Sequence, residues 1–117
     1  MEKHTFEMTL LFDFYGDLLT GKQQEYFDLY YNGDLSLSEI AEADGITRQG
    51  VRSVLKRGED TLTDIEAKTG LVRRFGEQRL LVAGIEAQVQ TLLKKTAEPE
   101  TRALAGRILE DLQSLGD

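Results

Sequence analysis

The sequence predicts an all-α fold organised around a helix-turn-helix, and three observations carry that expectation. Apolar residues recur at three- and four-residue spacings along most of the 117 positions. Turn residues separate those runs at Asn32-Gly33-Asp34, Asp44-Gly45 and Thr69-Gly70, and the single proline, Pro99, lies late in the chain. Residues 36–57, SLSEIAEADGITRQGVRSVLKR, read as a helix, a tight glycine turn and a second helix.

The first helix is expected from about His4 to Leu19. Its Phe6, Met8, Leu10, Leu11, Phe12, Phe14, Tyr15, Leu18 and Leu19 cover about two thirds of a helical wheel, more than a single surface stripe. Such a helix either lies under the rest of the fold or turns its spare apolar side to another subunit. Glu7, Asp13 and Asp17 have no further ligands beside them and read as solvated. Thr20 and Gln23 form the pattern of a capping box for a second helix reaching about Tyr31, whose aromatics serve as core supporting the helix-turn-helix. Leu35 is placed to staple the next helix start.

Ser36 and Glu39 are a second capping box, with Leu37, Ile40 and Ala41 as the apolar stripe behind it. Gly45 can take the left-handed conformation that ends this helix, and Thr47 can cap the next. Advancing about 100 degrees per residue from Arg48 puts Arg48, Gln49, Arg52, Ser53, Lys56 and Arg57 on one half of the wheel. Val51, Val54 and Leu55 fall on the other half. A recognition helix needs this division, an apolar side locked on its partner helix and long hydrogen-bonding side chains free to enter a major groove. An ordinary helical hairpin with its charges in water would share the outline.

This second helix is expected from Thr47 to Lys68, with a possible bend at Gly58 and a cap at Gly70. A further helix is expected from Val72 to Lys95, its continuity or packing influenced by Gly76 and Gly84, and a last one opens at Pro99 with a stripe of Leu104, Ile108, Leu112 and Leu115. Residues 1–70 and 71–117 then read as a helix-turn-helix part and a helical extension of the same domain. The apolar stripes of the extension could cover the first part, form a dimer seam, or do both.

The absence of cysteine excludes disulfides and thiolate metal sites. No apolar run approaches the ~20 residues that span a bilayer, and acids interrupt the N-terminal apolar stretch, unlike a secretion signal, so a soluble cytoplasmic protein without membrane insertion is expected. The formal charge of −7 opposes simple polyanion binding, yet it is unevenly distributed. Residues 45–58 hold Arg48, Arg52, Lys56 and Arg57 and no acid, a net +4, and residues 71–97 hold +3. Acidic surroundings weaken non-specific binding and leave a site that needs good local geometry.

Residues 6–70 resemble the YlxM family of small bacterial helix-turn-helix proteins through the run LFDFY, the segment LLT-x-KQ, LYY and DLSLSEIAE. The tail after Gly70 is similar only in being helical and charged and in its EDL segment at residues 110–112. The resemblance implies an all-helical fold similar to promoter-reading region 4 of bacterial sigma factors. It also implies a gene beside that of the signal-recognition-particle GTPase and a regulatory role in that targeting pathway. By correspondence with the sigma region, contact positions fall on Thr47, Arg48, Gln49, Arg52, Ser53 and Lys56. Gly50 departs from the family's usual alanine, loosening the helix start, and Arg52 replaces a common aromatic, adding a cation to the exposed face.

Two functions are therefore expected to compete. In the first, a DNA-binding regulator of the signal-recognition-particle pathway uses Arg48 and Arg52 on guanine edges or phosphate, Gln49 on a base edge, and Lys56 and Arg57 on the backbone. In the second, a protein- or RNA-interaction module regulates the particle's GTPase and has no DNA role. The partners are then DNA or the particle's RNA, particle GTPase components, and a second copy of the chain. An enzyme is not expected, nor a cofactor: His4 is the lone histidine, has no paired nucleophile, and no glycine-rich phosphate loop with a following Lys-Ser or Lys-Thr is present.

Overall fold

Polar residues ahead of the apolar runs close the free backbone donors and so decide where helices begin. In the computed structural model, which describes residues 2–115 with side chains from Thr5 onward, the helices are α1 (Glu2–Tyr15), α2 (Gly21–Phe27), α3 (Leu37–Asp44), α4 (Arg48–Thr69), α5 (Leu71–Lys95) and α6 (Pro99–Leu115). The described residues contain no strand, so the all-α expectation holds. The side chain of His4 lies outside the described residues. Among the described residues, no helix is long and apolar enough to cross a membrane.

Both capping boxes form. The Thr20 hydroxyl accepts from the Gln23 amide at 3.3 Å and the Gln23 side chain accepts from the Thr20 amide at 3.0 Å. The Ser36 hydroxyl accepts from the Glu39 amide at 3.0 Å, and the Glu39 carboxylate accepts in return at 2.9 Å. That donated backbone hydrogen bond holds the Glu39 carboxyl below its usual range. Gly45 and Gly70 both take the left-handed conformation, at φ 70 and 61, and end α3 and α4.

One expectation needs correction. The segment from His4 to Leu19 is not one α-helix: α1 ends at Tyr15, a 3-10 turn spans Gly16–Leu18, and Leu19 is extended. Buried Gly16 lies against the Phe12 ring, where a Cβ would come within 2.9 Å, so a larger residue there would have to displace that ring. The second helix runs to Asn32, near the expected end at about Tyr31, as α-helix to Phe27 and as a π-helical turn over Asp28–Asn32, and Asp34 in the following turn takes positive φ. α4 is one helix through Gly58, as expected, and Gly58 is buried against Phe27 of the aromatic core.

The chain divides into two compact units, Met1–Val72 and Arg73–Asp117. In the first, Met8, Leu11, Tyr15 and Leu19 pack with Tyr26 and Phe27, with Ile40 and Ala41 of α3, and with Val51, Leu55 and Leu62 of α4. Phe27 is the centre, stacked on Phe12 at 5.2 Å between ring centroids and tilted against Tyr31 at 5.0 Å. The Tyr15 hydroxyl donates to Glu66 at 2.6 Å, and the same carboxylate accepts the Val72 amide at 3.1 Å, tying the end of α1 to the end of α4.

The second unit is a hairpin of α5 and α6. α5 runs unbroken through Gly76 and Gly84, and a Cβ at either would meet nothing within 4 Å, so neither glycine serves close packing. Arg102 donates to the carbonyls of Leu93 and Thr96 at 2.6 and 3.2 Å, closing the C-terminal end of α5. Val89 and Ala105 are its buried apolar residues.

Candidate nucleic-acid interface

The site is built by α3, a three-residue turn over 45–47 and the first half of α4. Gly45 ends α3 with its amide donating to Ala41, and the Ile46 amide donates to the same carbonyl at 3.1 Å. The Thr47 hydroxyl then accepts from the Gly50 amide at 3.0 Å and starts α4. Ile40 and Ala41 of α3 meet Val51 and Leu55 of α4 in the core, and small Ala41 permits the close approach. The geometry is that of a helix-turn-helix.

Burial of one side dictates what the other offers. Val51 is 0% exposed and Leu55 4%, so α4 cannot rotate about its axis without pulling both from the core. Thr47, Arg48, Gln49, Arg52, Lys56 and Arg57 are consequently exposed together, with Ser53 half-buried at the edge. Among the described residues Arg48, Arg52 and Arg57 form no ion pair, whereas Lys56 bonds Asp60 one turn on at 3.0 Å. That hydrogen bond raises the Lys56 ammonium above its ordinary value. The basic run therefore ends at Glu59 and Asp60. Arg52 and Lys56 also border a shallow pocket of about 90 Å³ with Tyr30, Leu37, Leu55 and Glu59. The first turn of α4 holds no acid, so the positive end of its helix dipole adds to the cations.

Two tyrosines stabilise this element from below, a role that the apolar spacing did not disclose. Tyr26 donates to Asp44, the last residue of α3, which also pairs with Lys22 at 2.9 Å. The two donors hold the Asp44 carboxyl below its usual range. Tyr31 donates to Glu59 of α4. Burial, then the bond to Glu59, pushes the Tyr31 hydroxyl far above its ordinary 10.0, and the bond to Asp44 leads the rise at Tyr26. Stability from a raised group is complete below pH 10.0 and is lost as pH climbs through the raised value. Thermal unfolding above pH 10.0 is thus expected to show a steeper fall in midpoint for the unaltered chain than for Tyr31→Phe. Parallel curves would remove Tyr31 from the account. Both aromatics next to each other in α2 are buried, Tyr26 at 2% and Phe27 at 0% exposure, so neither is a base-stacking platform.

Fold and site together define a helix-turn-helix protein. A family profile described as "Putative helix-turn-helix protein, YlxM / p13 like" matches residues 1–101. The chain is 42% identical over 108 residues to a UPF0122 protein of Thermoanaerobacter sp. (strain X514), covering 92% of each chain. It is 39% identical over 110 residues to one of Acetivibrio thermocellus, covering 94% of each, and 54% identical over 77 residues to one of Caldanaerobacter subterraneus subsp. tengcongensis, covering 66% of each. The chain belongs to the UPF0122 family of YlxM/p13-like proteins.

Proposed function

We propose that this protein is a DNA-binding regulator that reads a major groove with the first half of α4. The observation that supports it is the coincidence of exposed Arg48, Gln49, Arg52, Lys56 and Arg57 on one face with buried Val51 and Leu55 on the other. Arg48 and Arg52 are suited to guanine edges or phosphate, Gln49 to an adenine edge, and Ser53, Thr47, Lys56 and Arg57 to the backbone around them. Action is through binding, in the cytoplasm, with no catalytic step or cofactor. The YlxM resemblance adds the pathway: regulation of the signal-recognition-particle targeting system.

Selection of DNA from a random pool, then titration of the selected duplex at several salt concentrations, tests the reading. Four cations on phosphate give a logarithmic salt slope on the order of −3 to −4, and guanine positions in the selected site should be matched by the arginines. Failure to enrich any sequence, with salt-insensitive residual binding, would sink it. The chain's −7 charge favours, for the protein partner of the targeting particle, a second reading as an interaction module, and contact with the particle's RNA remains the other form of that reading. Recovery of particle components that resists nuclease points to protein, and nuclease-sensitive recovery points to RNA.

A further inference from the structure

The hairpin of α5 and α6 leaves most of its apolar surface uncovered. Leu81, Leu92, Leu104 and Leu115 are 66, 47, 53 and 70% exposed, and Ile108 is 38% exposed. Two helices offer each other only one seam, and here Val89 and Ala105 fill it. Advancing about 100 degrees per residue from Val82, the seam side of α5 carries Val82, Glu86, Val89 and Leu93, and Leu81, Ile85 and Leu92 form a second stripe to one side of it. On α6, measured from Ala105, Leu104, Ile108 and Leu115 form a stripe displaced in the same sense.

The helices are antiparallel, since Arg102 reaches Leu93 at one end while Leu112 lies in a groove with Leu81 and Val82 at the other. In an antiparallel pair, displacement in the same sense puts both stripes on one flank. The groove between them at the open end, about 410 Å³ and lined by Phe75, Leu81, Val82, Leu112 and Leu115, widens that flank. A flank of this kind exposes on the order of 500 Å² of apolar surface, or roughly 1,000 Å² for two copies, near the lower size of specific interfaces.

Charge indicates the occupant. α5 carries a net +3 and α6 a net −1. The α6 stripe is bordered by Glu100 and Asp111, with Arg107 next to them in angle, and the α5 stripe is bordered by Lys95 at its C-terminal end and by Glu77 nearer its start. Rotation about a two-fold axis parallel to the helices lays each α5 over the α6 of a second copy. Basic surface then meets acidic surface, and Lys95 of one copy comes level with Glu100 of the other. Among the described residues neither of these two takes part in an ion pair.

We propose that this flank is a self-complementary interface, on which two copies of the chain join their α5–α6 hairpins into a four-helix bundle. Such an interface is isologous, each stripe meeting the other stripe of its copy, and it closes at two.

Light scattering coupled to size exclusion, on the full chain at about 50 μM, above the micromolar dissociation constant of a modest interface, should give twice the 13.2 kDa chain mass. Leu81→Glu with Ile108→Glu should return the mass to 13.2 kDa at unchanged helicity by circular dichroism. Because that variant could unfold the hairpin, a charge exchange accompanies it. Lys95→Glu and Glu100→Lys should each weaken the dimer about threefold at low salt, within the usual worth of an exposed pair, and together restore it. A single-chain mass for the unaltered protein overturns the proposal in favour of another cover for the flank. So does a dimer that persists in the folded double glutamate variant, or a charge exchange that fails to restore association.

Discussion

Phe27→Ala is expected to lower the free energy of unfolding by about 3–5 kcal/mol, a large share of the roughly 5–15 kcal/mol that holds a domain together. The ring is 0% exposed and stacked between Phe12 and Tyr31, so its removal leaves a cavity that three separate segments would have to close. Its edge occupies the space left by the missing side chain of Gly58, where a Cβ would fall 2.7 Å from Phe27 Cε2. The two positions should therefore be coupled. Gly58→Ala gains about 1 kcal/mol of helix propensity but forces an overlap worth about 1–3 kcal/mol, and the trapped ring makes the overlap prevail. In the Phe27→Ala background the overlap vanishes, and the same substitution should stabilise. Urea unfolding of the four proteins measures this cycle; a Gly58→Ala chain more stable than the parent would refute the packing account.

Arg48→Ala combined with Arg52→Ala is expected to weaken binding to a selected duplex by about 2–6 kcal/mol, the loss of two base or phosphate contacts, and to flatten the salt slope by about two. The fold should be untouched, because both side chains are exposed and neither forms an ion pair among the described residues. Lys56→Ala should do less, since Lys56 must leave Asp60 before it can reach phosphate. Lys68→Ala, beyond the acids that end the basic run and itself paired with Asp64 at 3.0 Å, should change nothing. Fluorescence anisotropy across a salt series checks all three. Equal affinity for the parent and the double arginine variant would remove α4 from the groove and leave the module that contacts RNA or protein.

Much of this could be read from the sequence because helix ends depend on residues three or four positions apart. Thr20 with Gln23 and Ser36 with Glu39 start their helices as the spacing implied, and Thr47 caps α4 as expected. The division of α4 was also legible, since a wheel needs only the helix period, and Val51 and Leu55 are buried opposite Arg48 and Arg52. The end of α1 was not legible. The apolar residues continue to Leu19 without a change of period, so nothing in their spacing marks the stop at Tyr15.

The sequence by itself determined that the chain is helical, where most helices start and stop, and which side of α4 is charged, because each of these is settled by local periodicity and capping. Tertiary structure alone decided that Gly58 is a seat for Phe27. It also decided that Tyr15 bonds Glu66, 51 positions away, and that Tyr26 and Tyr31 hold Asp44 and Glu59 beneath the basic face. Those partners are distant along the chain and meet only when apolar burial brings α1, α2 and α4 together, so no spacing rule could have paired them.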